Sequence, residues 1–235
     1  MGWRTHCRGV SSGTWSQRRR ARTARQRWRH FCPDCRPVSG QGPHTSTFGS
    51  VTDTTWVALL RGINVGGNRK VPMAQLREVL ESAGYTEVTT LLQSGNVVFQ
   101  SPAPVSRHDL GIALETLLTS AFGFDLPIAL RTGTEMAQIV RRYPFPGADA
   151  EPKLHHVMFL RDQPSPDKLA SLPLDRSPGT DLIVQESEIA VRYGEGVATS
   201  TVTNAWLDRQ LDTMTTARNW NTVNKLVELA NVRRQ

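Results

Sequence analysis

The apolar residues of the chain follow two periods: short continuous runs, and a spacing of three or four residues. Runs bounded by polar or glycine-containing turns predict β-strands, whereas the wider spacing predicts amphipathic helices. The first predicted strands cover residues 55–61, 87–92, 96–100 and 125–131. The helices between them are predicted to begin at Pro72 and Ser106 and to end at Gly84 and Gly123. This order, β-α-β-β-α-β, is the ferredoxin-like pattern.

The same two periods return after Thr132 and Glu135, which have the spacing of a capping box. The later predicted strands are 154–160, 181–185 and 189–193, and the later helices follow Thr132, Ser165, 200 and 219. The element order therefore partly repeats, although the halves share no detectable sequence identity. We predict an α+β protein of two ferredoxin-like (βαββαβ-type) subdomains packed together; one continuous sheet is the alternative. The expected boundaries are 51–132 for the first subdomain and 133–235 for the second, which ends in a C-terminal helix.

Charge separates a third segment from these two. The chain carries a formal net charge of +7. Residues 1–50 hold ten arginines and one acidic residue, Asp34, whereas residues 51–235 hold 18 basic and 20 acidic side chains. The high isoelectric point is therefore no reason to expect the folded part to bind nucleic acid. Since residues 1–50 show no helix or strand period, we predict a disordered basic extension, or one foreign to the native protein.

Two other interpretations of the extension stay open. The arginine-rich stretch 18–22, with Trp15 and Trp28 near it, is typical of a nucleic-acid-binding arm. Cys32 and Cys35 have the spacing of half a zinc site, but no second pair follows to complete four ligands. We therefore expect no metal and no cofactor, and nucleic acid as a partner only through this extension.

Several functional classes are excluded by what residues 51–235 lack. They contain no cysteine, so neither thiol catalysis nor disulfides are expected, and a cytoplasmic location is predicted. No apolar run approaches 18 residues, so we expect no membrane span. No phosphate-binding glycine motif, nucleophile elbow or zinc-protease motif is present. His155 and His156 are adjacent on a strand, where alternation points them to opposite faces, so they are not expected to share a metal. Catalytic residues stay unassigned.

Three polar turns are the candidate binding site. In the first, adjacent glycines allow positive φ angles and expose main-chain N–H groups beside a helix start. The second joins two strands, and the third precedes the last helix. The candidate ligand-binding residues are Arg61, Asn64, Gly66, Gly67, Asn68 and Lys70 in the first turn, Gln93, Ser94 and Asn96 in the second, and Arg218, Asn219 and Asn221 in the third. The alternative is ordinary turn geometry, with Asn219 capping the last helix and Trp220 in the core.

The same stretches carry a family resemblance. Residues 57–67, 92–99 and 216–223 resemble three ordered motifs of the domain-of-unknown-function family 1697, and the likeness covers about residues 54–232. It implies a small, mostly bacterial α+β protein that starts just before the first strand. Two departures stand out: Ala217 replaces the usual Thr, and no lysine follows the loop Gly194–Gly196. If that loop binds an anion in relatives, the missing lysine weakens it here.

Three functions are compatible with these observations. The first is a protein that binds a small anionic or nucleotide-like ligand in a polar cleft. The second is an enzyme acting on a phosphorylated or nucleotide substrate, with Arg61, Lys70 and Arg218 stabilising charge. The third is nucleic-acid association through residues 4–36. For the first two, we expect the turn 62–70 and the segment 218–222 to face one another across one cleft, with Arg218 free of structural duties.

Overall fold

Two runs of secondary structure with the same order of elements make up the described part of the chain. The computed structural model describes residues 54–67 and 69–232, so the predictions made for the N-terminal extension and for Asn68 lie outside the described residues. The first run contains β1 (Thr54–Leu60), α1 (Met73–Ser82), β2 (Thr86–Leu91), β3 (Asn96–Ser101), α2 (Arg107–Phe122), β4 (Ile128–Thr132) and α3 (Gly133–Arg141). The second contains β5 (His155–Leu160), α4 (Pro166–Ala170), β6 (Thr180–Gln185), β7 (Glu188–Tyr193), α5 (Asn204–Leu211), β8 (Thr215–Asn219) and α6 (Trp220–Asn231).

The strands form two antiparallel sheets of four, so the alternative of one continuous sheet is wrong. The strand orders are β2-β3-β1-β4 and β6-β7-β5-β8, which place equivalent strands at equivalent positions. The central strand β1 pairs with β3 on one side and β4 on the other. Its near-complete burial is what the continuous apolar run predicted, because a central strand covered on both faces has no solvent side. In the second sheet β5 occupies the same position between β7 and β8.

Within residues 54–67 and 69–232, three apolar cores follow from this layering. One lies between the first sheet and helices α1 and α2, and another between the second sheet and the helix α5. The third is shared by the inner faces of both sheets and by α3 and α6, which bring Met136, Ile139, Trp220 and Val223 into it. The two sheets are therefore joined through a common core rather than through a linker. Within the described ranges, no helix is both long and apolar enough to cross a membrane.

Strand β8 was not predicted. The sequence analysis placed a polar turn at 218–222, whereas the structure has strand Thr215–Asn219 running directly into helix α6. Its residues are polar except for Ala217, so no apolar alternation marks it. It is an edge strand held by pairing with β5, a contact that local periodicity cannot reveal.

The predicted helix ends agree better with the structure. The Thr132 side chain accepts from the Glu135 N–H, and the Glu135 carboxylate accepts from the Thr132 N–H, which completes the capping box. Ser106 caps α2, and Gly123 ends it with φ at 79°. These signals are local in sequence, which is why they can be identified without the fold.

Candidate functional site

Two buried arginines cross between the sheets, and the first of them is Arg131 on β4. Its Nε lies 2.5 Å from a carboxylate oxygen of Glu188, the first residue of β7. Its Nη2 donates to the carbonyl oxygens of Leu160, at 2.9 Å, and Ser187, at 2.7 Å. Burial lowers the pKa of Arg131, and the charge of Glu188 opposes that shift. The side chain is thus a charge-paired clamp from the first half onto the second.

Arg218 on β8 makes the reciprocal clamp from the second half onto the first. Its Nη2 donates to the Leu60 carbonyl oxygen at 2.8 Å, and its Nε donates to the side-chain oxygen of Asn96, the first residue of β3. The full set of its acceptors comprises the side chains of Asn96 and Thr216 and the carbonyls of Leu60, Ser94, Gly95 and Ala217. The expectation that Arg218 has no structural duty is therefore wrong.

The two clamps differ in charge. Arg131 and Arg218 are 1% and 7% exposed. Glu188 supplies a carboxylate to the first, whereas the equivalent position beside Arg218 holds the neutral amide of Asn96. Among the described residues, no carboxylate forms an ion pair with Arg218. Burial lowers the pKa of Arg218 to about 10, so the guanidinium stays charged at neutral pH.

A pocket of about 450 Å³ adjoins this unpaired arginine. The hairpin between β2 and β3 forms one wall, strands β5 and β8 form another, and the starts of α5 and α6 close it. The lining residues are Leu92, Ser94, His156, Met158, Tyr193, Val197, Val202, Thr203, Asn204, Ala217, Arg218, Asn219 and Thr222. Helix N-termini carry unsatisfied N–H groups and the positive end of the helix dipole, so their position here favours negative charge.

Two residues that line the pocket each carry a side-chain polar atom that is buried from solvent and has no hydrogen-bond partner among the described residues. These atoms are Nδ1 of His156 and Oδ1 of Asn204. Burial, followed by the charge of His155, lowers the pKa of His156 to about 4, so its imidazole is neutral at pH 7. Its ring packs edge-on against Tyr193, with 5.1 Å between ring centroids. The imidazole of His156 and the phenol of Tyr193 are therefore uncharged at neutral pH.

Only some of the predicted site residues meet at this pocket. Ser94, Arg218 and Asn219 line it. Asn64 instead closes the first turn through Val71, and donates to the carbonyl of Gln93. Arg61 forms an ion pair with Asp208 of α5. Other predicted residues that do not line the pocket are Gly66, Gly67, Lys70 and Asn221, which are exposed.

The three polar motifs nevertheless meet at one place, the β2–β3 hairpin. Asn64 donates to the Gln93 carbonyl, and Arg218 donates to the Ser94 carbonyl next to it. Gly95 is required there, because a Cβ would lie 2.8 Å from Ile63 Cδ1 and from Leu60 Cβ. Asn96 fastens the same hairpin by donating to Leu91 O and Ser94 Oγ. The motifs therefore meet through hydrogen bonds rather than across an open cleft, and a ligand-binding role for them stays a prediction.

Several lining residues were missed by the sequence analysis. His156 was weighed only as a metal ligand, and Tyr193 and Asn204 were seen as ordinary strand and helix positions. The available signal was that His156 and Tyr193 lie on strands next to polar or glycine-containing loops, where side chains at strand ends reach solvent. Which strand ends share a pocket depends on sheet order, which the sequence did not give.

A second pocket occupies the equivalent place in the other half. It measures about 340 Å³ and is lined by residues of α2, β4 and the β6–β7 hairpin, among them Arg107, His108, Arg161 and Ser187. Here the cations are paired: Arg107 with Glu135, and Arg161 with Glu115. In the described ranges, no group of three or more His, Cys, Asp or Glu side chains could hold a metal ion. The pocket beside Arg218 is thus distinguished by its unpaired charge.

Comparison with known proteins gives the family and the fold. The model of the family described as "Protein of unknown function (DUF1697)" matches residues 54–189, more than half of the chain, and confirms the predicted family. The solved structure of a conserved bacterial protein, SP0830 from Streptococcus pneumoniae, is similar with a TM-score of 0.60 and 24% sequence identity. That similarity covers 75% of this chain and 98% of the other, and at this identity it bears on the fold alone. No curated protein matches the chain.

Proposed function

Since this chain belongs to the DUF1697 family, whose function is unknown, we propose from its own geometry that it binds a small anionic ligand in the pocket beside Arg218. The observation that carries the proposal is the buried charge of Arg218, which has hydrogen-bond acceptors but, within the described ranges, no carboxylate partner. A buried charge is costly unless an opposite charge lies near it. An anion in the adjoining pocket would supply that charge, as Glu188 does for Arg131.

The chemistry of the pocket supports an electrostatic rather than a direct contact with Arg218. The guanidinium already donates to side-chain and carbonyl oxygens on all three of its nitrogens. The atoms that would touch the anion are therefore the Ser94 and Thr222 hydroxyls and the free N–H groups at the start of α6, where Asn219 caps only the Thr222 N–H. Arg218 supplies the field that makes this wall attractive to negative charge.

We also propose that each half is a ferredoxin-like subdomain. The repeated β-α-β-β-α-β order and the identical strand order of the two sheets support this assignment. In this proposal the predicted boundary at 132/133 separates the two sheets. The repeat itself would assign α3 to the first half, because α3 follows β4 just as α6 follows β8. The two halves then form the proposed binding pocket at their interface, where the β2–β3 hairpin of one reaches the edge strand of the other.

The geometry favours binding over an enzyme that acts on a phosphorylated or nucleotide substrate. That alternative needed Arg61, Lys70 and Arg218 to converge on one substrate. Arg61 is paired with Asp208, and Lys70 is exposed and does not line the pocket. Nucleic-acid association through residues 4–36 depends on a segment outside the described residues and has no support here.

The test is titration of the full chain with inorganic phosphate. Binding is measured by calorimetry and by the shift in melting temperature. Phosphate at a hundred times its dissociation constant should stabilise the fold by about 2.7 kcal/mol, beyond the effect of sodium chloride at equal ionic strength. Asn96→Asp places a carboxylate against Arg218, as in the other clamp, and should weaken phosphate binding at least tenfold.

The matched control is Asn231→Asp, which adds the same charge at the far end of α6, about 17 Å away along the helix axis. It should leave phosphate affinity unchanged. If Asn96→Asp does not fold, Val197→Glu adds a carboxylate to the exposed rim without touching the buried hydrogen bonds, and should also weaken binding. Phosphate stabilisation no greater than that of chloride, or equal affinity in all variants, would exclude the proposed site.

A further inference from the structure

The pocket beside Arg218 has an apolar rim, and from it we infer that the ligand is an amphiphilic anion: a phosphate or carboxylate head group joined to a hydrocarbon chain or ring. This inference rests on the proposed anion site and names the class of molecule that carries the anionic group. The rim consists of Leu92, on the β2–β3 hairpin, and Val197, on the loop after β7. An inorganic anion would leave both side chains in water.

Burial separates the apolar rim from the charged part of the pocket. Leu92 and Val197 are 57% and 49% exposed, whereas Arg218 and Thr222 are 7% and 6% exposed. All four residues line the same pocket. The positive charge and the start of α6 therefore lie deeper than the two apolar side chains. An anionic head group drawn toward Arg218 leaves the group attached to it at the rim.

The chemistry of the rim favours a hydrocarbon group over a sugar. Neither Leu92 nor Val197 packs into any of the three apolar cores of the described residues. Covering two exposed apolar side chains with another apolar group removes surface from water, which is the driving force of hydrophobic binding. A sugar phosphate would instead place hydroxyl groups against side chains that cannot form hydrogen bonds with them.

The backbone at Leu92 shows that turn geometry does not call for a leucine there. Its φ is +59°, in the left-handed region that glycine and asparagine adopt far more readily than leucine. The hairpin would therefore close at lower cost with either of those residues. An apolar side chain held in this conformation at the mouth of a pocket agrees with a contact residue for a ligand. The pocket volume, about 450 Å³, lies within the range of small-molecule sites.

Calorimetric titration of the full chain with inorganic phosphate, methyl phosphate, hexyl phosphate and 1-hexanol tests the inference. Each buried methylene is worth about fourfold in affinity, so covering two of those added in hexyl phosphate should make it bind at least about ten times more tightly than methyl phosphate. Acetate and hexanoate, titrated in parallel, distinguish a carboxylate from a phosphate head group. In whichever series binds, the longer chain should bind more tightly.

The outcomes separate the inference from the anion site on which it rests. If inorganic phosphate binds and neither longer chain binds more tightly than its short counterpart, the inference is overturned while the anion site stands. If 1-hexanol binds as tightly as hexyl phosphate, the anion site is overturned and the inference with it. If none of the probes binds, both are overturned.

Variants of the rim then locate the apolar contact. Leu92→Asn, which keeps the left-handed backbone, and Val197→Ser should each weaken hexyl phosphate binding several-fold and leave the affinity for inorganic phosphate unchanged. Both positions are exposed, so we expect both variants to fold, and if one does not, the other decides alone. The matched control is Val232→Ser, at a valine that is 76% exposed and about 18 Å along the axis of α6 from its start; it should change neither affinity. Equal losses for both phosphates, or hexyl phosphate affinity that no rim variant changes, would contradict an apolar contact at the rim.

Discussion

Arg131 and Arg218 occupy equivalent positions in the two halves and make equivalent main-chain contacts, yet their electrostatic situations are opposite. Each reaches the carbonyl at the end of the other half's central strand and the hairpin beside it. Arg131 meets a carboxylate, whereas Arg218 meets an amide. Hydrogen bonds therefore position both side chains, but in the part of the chain that the structure describes only the charge of Arg131 is neutralised by an ion pair. A duplicated contact can thus be balanced in charge in one half and carry an unbalanced charge in the other.

The same divergence extends to the helices that follow the two arginines. Helix α3 begins at Gly133, where a Cβ would lie 3.1 Å from the Cβ of Ala230 on α6. Helix α6 begins at Trp220, which donates through Nε1 to Asp149 at 2.7 Å and packs on Tyr143. The small residue Gly133 in the first half makes room for helix α6 of the second. Both halves therefore contribute to the packing of the shared core.

The largest expected effect comes from removing each arginine in turn. Arg131→Met leaves Glu188 buried without its partner, so the free energy of unfolding should fall by about 3–5 kcal/mol. Arg218→Met leaves neutral acceptors unpaired and at the same time removes an uncompensated charge, so the loss should be smaller, about 1–3 kcal/mol. Urea denaturation of both variants measures the difference. Equal losses would mean that the charge balance of the two clamps does not matter.

Acid should lower the free energy of unfolding through His156, which lines the pocket beside Arg218. The pKa of His156 is lowered to about 4 by burial and by the charge of His155, against about 6.5 in an unfolded chain. As pH falls below 6.5 the unfolded state takes up this proton first, so stability is lost between pH 6.5 and 4 and fully present above that window. The loss should be on the order of 3 kcal/mol.

The measurement is the free energy of unfolding against pH for the wild type and for His156→Gln. The pKa of His155 is also lowered, mostly by burial, so both proteins should lose stability in acid, and the variant should lose less. His108→Gln, an exposed histidine by the other pocket, serves as the control and should follow the wild type. Identical curves for all three would show that His156 is not buried as neutral imidazole.

The smallest effect is expected at the second reciprocal pair of contacts. Arg61, just after β1, pairs with Asp208 of α5, and Arg161, just after β5, pairs with Glu115 of α2. These side chains are a fifth or more exposed, so Arg61→Gln and Arg161→Gln should each cost less than about 1 kcal/mol. Thermal denaturation at low and high salt checks this. A loss of several kcal/mol in the free energy of unfolding of either variant would show that these outer ion pairs contribute strongly to the stability of the interface.

The amino-acid sequence alone determined those features that depend on neighbouring residues. The central strand followed from the continuous apolar run before Arg61, and the helix ends followed from Ser106, Gly123 and the Thr132–Glu135 capping box. The family was predicted from three motifs, and the family match over residues 54–189, which contains the first two of them, confirms it. Such signals depend on side chains within a few positions of one another, where geometry is set by the chain itself.

Only the tertiary structure decided what the polar residues do. Arg218 lies 122 positions from Asn96 and 158 from Leu60, and no local pattern could pair them. Strand β8 exists because β5 accepts it at the sheet edge, and the pocket exists because a hairpin of one half reaches the edge strand of the other. The physical reason is that a polar side chain takes its role from burial and charge balance. Those quantities are set by groups brought together across the fold, not by their order in the chain.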